Sequence, residues 1–181
     1  MKRIATGFTL IELMITLVVV AVLLTVAAPG FMSTLKTNAV QTQADLLLTT
    51  FNYARSEAAR LNRTVIVCRS INGTACSSSS SWQDGWLVYE DVDSDGTVET
   101  GDGDTVLRVY DGLSGDFTLV PTSGFTNRVV YRASGDASTA GRFVVCPSDS
   151  DTAYAREIKI NIVGRPRISE GVTTDCSASS S

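Results

Sequence analysis

Two groups of side chains in this sequence have types and spacings suited to chemistry. The first is Asp91-x-Asp93-x-Asp95-Gly96, continued by Glu99 and Asp102. Its carboxylates fall at positions 1, 3, 5, 9 and 12 of a calcium-loop pattern, with glycine at 6. Glu90 and Asp104 raise the density to seven carboxylates in fifteen residues without one base, a repulsion that a cation would ease. Position 12 is Asp rather than the longer Glu, and the flanks read as strands rather than helices. The competing account is a solvated hairpin loop in which aspartates and glycines make turns. Calcium on Asp91, Asp93, Asp95 and Asp102 is the one cofactor the sequence suggests.

The second group is Gly164-Arg165-Pro166-Arg167. In an extended backbone Arg165 and Arg167 point to the same side, where two guanidiniums match the geometry of successive phosphates. From Arg128 to Arg167 there are seven basic and four acidic residues, a local net of +3 in a chain whose net charge is -4. Nucleic-acid binding must therefore be local rather than a bulk property. Arg142 and Lys159 are further candidates, and contacts of this kind position a duplex without reading its bases. The alternative is a turn at Gly164-Arg165-Pro166, with both arginines facing water or nearby carboxylates.

Catalysis finds little support. The chain contains no histidine, so the commonest general base and zinc ligand are missing. It has no G-x-S-x-G elbow and no Cys–His arrangement. The dense group of carboxylates is the acidic loop.

One more ionisable group stands out by its isolation. From Phe8 to Ala28 the only ionisable side chain is Glu12, behind the basic pair Lys2-Arg3. These residues as a helix span roughly 31 Å, the thickness of a bilayer's hydrocarbon core. A cleaved secretory signal has a shorter apolar region followed by a small-residue site, which Pro29-Gly30 does not offer. The sequence thus predicts a membrane-spanning helix, with Lys2 and Arg3 holding its start in the cytoplasm and the rest outside a bacterial inner membrane. A carboxylate at that depth calls for a partner. Beyond the membrane, Cys68, Cys76, Cys146 and Cys176 would meet an oxidising compartment. Of three formal pairings, the economical one is Cys68–Cys76 with Cys146–Cys176. A four-thiolate zinc site is the rival, without any close C-x-x-C pair.

The elements that position these groups follow from periodicity. Val40, Ala44, Leu47, Phe51, Ala54, Ala58 and Leu61 recur at steps of four and three, one face of a helix. One helix from about Phe8 to Leu61, bent near Pro29, is expected. Strands are expected at Thr64–Cys68, Trp86–Tyr89, Thr105–Tyr110, Phe117–Val120, Arg128–Tyr131, Arg142–Cys146 and Glu157–Ile162. In the last, Ile158, Ile160 and Ile162 alternate with Glu157, Lys159 and Asn161, one face apolar and one wet. The fold class is α+β, a long N-terminal helix whose outer half packs on an antiparallel sheet. The expected organisation is a leader (1–7), a transmembrane half-helix (8–29), an outer half-helix (30–62) and a β-rich head (63–181).

The string Gly7-Phe8-Thr9-Leu10-Ile11-Glu12 resembles the prepilin-peptidase site of type IV pilins and type II secretion pseudopilins. That resemblance implies cleavage after Gly7, methylation of the new terminus at Phe8, and Glu12 as the fifth mature residue. There Glu12 would pair with the terminal amine of a neighbouring subunit. Pro29 matches the family's proline at the twenty-second mature position. Trp82 through Gly96, Leu107-Arg108, the strand ending at Cys146, and Gly164-Arg165-Pro166-Arg167 are similar to the GspH/FimT branch of pseudopilins and minor pilins. This resemblance implies a pilin-like fold, other pilins as partners, residence in the inner membrane and then in a pilus fibre. In FimT-type minor pilins the closing motif is associated with DNA binding in natural transformation, which implies double-stranded DNA on Arg165 and Arg167. An H-type pseudopilin of a type II secretion system, or a purely structural minor pilin, is the alternative.

Overall fold

The computed structural model describes residues 7–99, 101–115, 117–121 and 124–169 together with Cys176, and for residues 26–29 the backbone alone. The chain forms two compact units, Met1–Asn38 and Ala39–Ser181. A single helix, α1 (Leu10–Leu61), contributes to both and includes Pro29 without interruption. It starts where the Thr9 hydroxyl accepts the Glu12 backbone N–H at 3.3 Å, the pattern of a helix N-cap. It stops at Asn62, whose φ of +53° is left-handed. The Arg63 N–H then reaches back to the Ala58 carbonyl at 3.2 Å, closing the last turn as a left-handed cap does.

In the first unit every described side chain from Phe8 to Thr25 is exposed. An 18-residue window of this helix has a mean hydropathy of 2.8 with none of it buried. By length and composition it can cross a membrane, and water is a poor solvent for such a surface.

In the second unit α1 buries Val40, Ala44, Leu47, Phe51, Ala54 and Ala58 completely. This is the stripe that the spacing predicts, with Leu61 only partly covered at its end. Among the described residues eight strands follow: β1 (Thr64–Arg69), β2 (Gly85–Asp91), β3 (Thr105–Asp111), β4 (Thr118–Pro121), β5 (Arg128–Tyr131), β6 (Gly141–Cys146), β7 (Arg156–Ile160) and β8 (Pro166–Ser169). They form two four-stranded sheets rather than one, ordered β3-β2-β1-β5 and β4-β6-β7-β8. Every pairing between these strands is antiparallel.

Both sheets and α1 share one core. The first sheet supplies Val65, Val67, Trp86, Val88, Val129 and Tyr131, and the second supplies Leu119, Phe143, Val145, Ile158 and Ile160. Phe143 lies at an aromatic junction, its ring centroid 5.2 Å from Phe51, 5.4 Å from Phe125 and 5.0 Å from Trp82. The buried indoles are not left unpaired: Trp82 donates to the Phe125 and Thr126 carbonyls, and Trp86 to the Thr50 hydroxyl. Buried ring area of this kind contributes roughly 2–3 kcal/mol per side chain.

β7 departs from expectation at its end. It stops at Ile160 because residues 161–164 turn, with the Gly164 N–H donating to the Asn161 carbonyl and the Arg165 N–H to the Asn161 side chain. Ile162 therefore leaves the apolar face and is 54% exposed. Glu157, expected to be wet, is 6% exposed.

Candidate functional site

Each sheet turns one face to the core, and the chemistry lies on the two faces turned away. On the second sheet the strand register sets Arg142 opposite Lys159, and Lys159 opposite Arg167. Residues opposed in an antiparallel pair share a face, so three cations form a row across β6, β7 and β8. Glu157, one step along β7 on that face, receives Arg142 at 3.3 Å and Lys159 at 3.4 Å. One carboxylate thus offsets part of the charge and holds two of the cations. Arg165 is exposed at the entrance to β8.

The Gly164-Arg165-Pro166-Arg167 segment leaves a turn at Gly164 and is a strand only from Pro166 onward. Gly164 has a φ of +79° and lies so close to the Gly135 carbonyl that a Cβ would collide with it. The glycine serves the turn, and the turn delivers Arg167 into β8. The remaining bases between Arg128 and Arg167 are engaged elsewhere. Arg128 donates to the Gly96 carbonyl at 2.7 Å, Arg132 pairs with Asp136, and buried Arg156 donates to Gln41 and to the carbonyls of Tyr154 and Ala155. Arg142, Lys159, Arg165 and Arg167 are what remains of the local +3.

Beside this row the same face carries a small apolar cluster of Val120, Val144, Cys146, Ala155 and Cys176. The Cys146–Cys176 disulfide ties the C-terminal segment to β6, and a second disulfide joins Cys68 to Cys76.

The outer face of the first sheet is the electrostatic opposite. Ile66, Cys68, Leu87 and Tyr89 form an apolar cluster, with Val98 of the β2–β3 loop and Val130 packed against it. Asp91 continues the Leu87–Tyr89 side of β2. Carboxylate oxygens of Asp91, Asp93, Asp95 and Asp104 lie within 4.8 Å of one another. The fourth member is Asp104, not Asp102 as the linear pattern suggests. The hairpin explains why Asp104 joins the group: Glu90 pairs with Thr105, so the next residues outward, Asp91 and Asp104, face each other across its mouth. Asp102 is set with Glu99 instead, and their shared hydrogen bond, followed by the Asp102 charge, raises the Glu99 pKa. Asp104 also folds the loop, accepting the Val92 N–H at 2.8 Å and the Glu99 N–H at 3.2 Å. Burial raises the pKa of Asp91, opposed by backbone hydrogen bonds from Gly96 and Ser94 and reinforced by Asp104 and Asp93.

At the N-terminus Gly7 and Phe8 are described and exposed, whereas leader residues 1–6 lie outside the described residues. Glu12 belongs to the first turn of α1. The helix dipole favours a carboxylate there, so part of its stabilisation is local. The sequence carries that signal as Thr9-x-x-Glu12, the spacing of a capping box. Other contributors absent from the linear reading are Glu157, Arg128 and Tyr89. Their roles depend on cross-strand neighbours.

A bare apolar helix continuing into a two-sheet head describes a helix-anchored subunit with a pilin-like fold. Residues 43–164 match the family described as Type II transport protein GspH, and residues 2–28 match the prokaryotic N-terminal methylation motif. The chain belongs to the GspH family of pilins and pseudopilins, whose members are structural subunits. The family match ends one residue before Arg165. No curated protein matches the chain in sequence. Two crystal structures of the type IV minor pilin FimU from Pseudomonas aeruginosa (strain PAO1) are similar, each with a TM-score of 0.58 at 22% identity. One covers 77% of this chain and 94% of its own, the other 75% and 98%. At that identity the likeness is one of fold.

Proposed function

We propose that the chain is a minor type IV pilin whose head binds double-stranded DNA without sequence preference. The observation that carries this reading is the row Arg142–Lys159–Arg167 on a sheet face turned away from the core, with Arg165 exposed just before β8. Charges so arranged suit consecutive phosphates. At the other end, prepilin peptidase cuts after Gly7, Phe8 becomes the methylated terminus, and Glu12 accepts the terminal amine of a neighbour as the helix leaves the inner membrane. Pro29 marks the boundary of the membrane half, and the head lies in the periplasm until assembly. The methylation motif and the exposed apolar helix support these steps. The name of the matched family favours a second reading, a pseudopilin of a type II secretion system. That machine would use the same helix and make no demand on the basic row.

The test is a fluorescence titration of duplex DNA against the full chain in detergent micelles. Changing Arg165 and Arg167 together to Gln should weaken binding about tenfold or more and lower the salt slope by about 2. Loss of DNA uptake with normal piliation supports the reading. Unchanged binding and uptake overturn it and leave the secretion reading.

A further inference from the structure

The acidic loop contains a structural discrepancy of its own. Asp91 is 3% exposed, and although backbone N–H groups of Gly96 and Ser94 reach its carboxylate, its Oδ1 atom has no hydrogen-bond partner among the described residues. A buried carboxylate oxygen without a partner is costly. Two residues back on the same face of β2, the Tyr89 hydroxyl is also buried and has no partner among the described residues. Burial raises its pKa, and the charges of Asp91, Asp104 and Asp95 add to that shift while Arg128 opposes it. A buried carboxylate oxygen without a partner among the described residues thus belongs to the group in which four carboxylates converge, and a second such polar atom lies on the same face of β2.

We propose that Asp91, Asp93, Asp95 and Asp104 bind one calcium ion, which fastens the β2–β3 loop over the outer apolar cluster of the first sheet. The spacing and the all-oxygen donor set fit calcium. Calcium bonds oxygen at about 2.4 Å, so oxygens on opposite sides of it are about 4.8 Å apart. The four carboxylates lie within 4.8 Å of one another. Magnesium, at about 2.05 Å, demands near-ideal octahedral geometry and gives up its water reluctantly, which suits a half-mobile carboxylate group less well. Asp91 and Asp104 come from the strand ends and are buried, whereas Asp93 and Asp95 come from the loop and are exposed. The ion therefore joins a fixed half-site to a movable one. Water completes the six to eight ligands that calcium takes. Arg128, on the Gly96 carbonyl, lowers the local excess of negative charge without entering the ligand set. What the ion secures is the contact of Val98 with the cluster around Ile66, Leu87 and Tyr89.

The full chain, stripped with a chelator and held in detergent micelles, is titrated calorimetrically with calcium chloride and melted with and without it. One calcium per chain and a rise in Tm of about 5 °C at a hundredfold excess over Kd are expected. The exposed pair is then changed together, Asp93→Asn with Asp95→Asn, and its melting in chelator is compared with the parent to establish folding. Affinity should fall at least about tenfold. Asp102→Asn should bind within about twofold of the parent, because Asp102 is outside the set. Absence of calcium heat and of a Tm shift at millimolar calcium overturns the site. Equal weakening by Asp102→Asn, or none from the Asp93/Asp95 pair, overturns this assignment of ligands.

Discussion

The two sheets share a core and are built alike on their outer faces, yet those faces carry opposite charge. Each has a small apolar cluster, and each cluster includes a disulfide cysteine, Cys68 in one and Cys146 with Cys176 in the other. On the first face a loop brings four carboxylates together; on the second the strand register brings three cations together. A net charge of -4 conceals both. Register and loop return, rather than composition, decide where each sign of charge is concentrated.

The largest difference should appear in stability. On the chain-entropy account, replacing Cys146 and Cys176 by Ser costs about 4 kcal/mol, and replacing Cys68 and Cys76 about 2.5 kcal/mol, because their separations are 30 and 8 residues. Urea denaturation measures both. Equal losses would mean that loop length does not distinguish the staples. Only the first pair should also weaken DNA binding, since the ring it closes contains β7 and β8.

A smaller effect of opposite sign is expected at Glu157. Glu157→Gln removes the carboxylate beneath Arg142 and Lys159, so DNA affinity at low salt should rise about twofold to fivefold. Fluorescence titration over a range of salt checks it. A fall would show that Glu157 matters more as a support for the two cations than as a competing charge. The smallest effect belongs to the acidic face. Asp93→Asn with Asp95→Asn should leave DNA affinity within about twofold at 0.15 M salt, where charges beyond roughly 8 Å are screened. A larger change would join the two faces into one electrostatic surface.

Much of this was legible in the residues because periodicity is local. The helix stripe from Val40 to Ala58 and the strand Arg128–Tyr131 appear where the spacing predicts them. The division into two sheets was not legible. It depends on the chain passing between layers, with β4 and β5 in different sheets, which no local pattern encodes. The same limit governs the sites. Arg165 and Arg167 are neighbours in sequence, but the alignment of Lys159 between Arg142 and Arg167 exists only in the register. Asp102 fits a pattern counted along the chain, and Asp104 fits the hairpin. Arg156 contributes to a local charge count, while in space it is buried against Gln41.

The Cys146–Cys176 bond has a mechanical consequence. β8 is an edge strand, the kind that peels first when its end is pulled. The disulfide makes β7, β8 and the turn between them part of a covalent ring anchored on β6. A load applied at Arg165 or Arg167 is divided between two backbone paths that meet at that bond. The edge strand can be strained or detached, but it cannot be unravelled as a free tail.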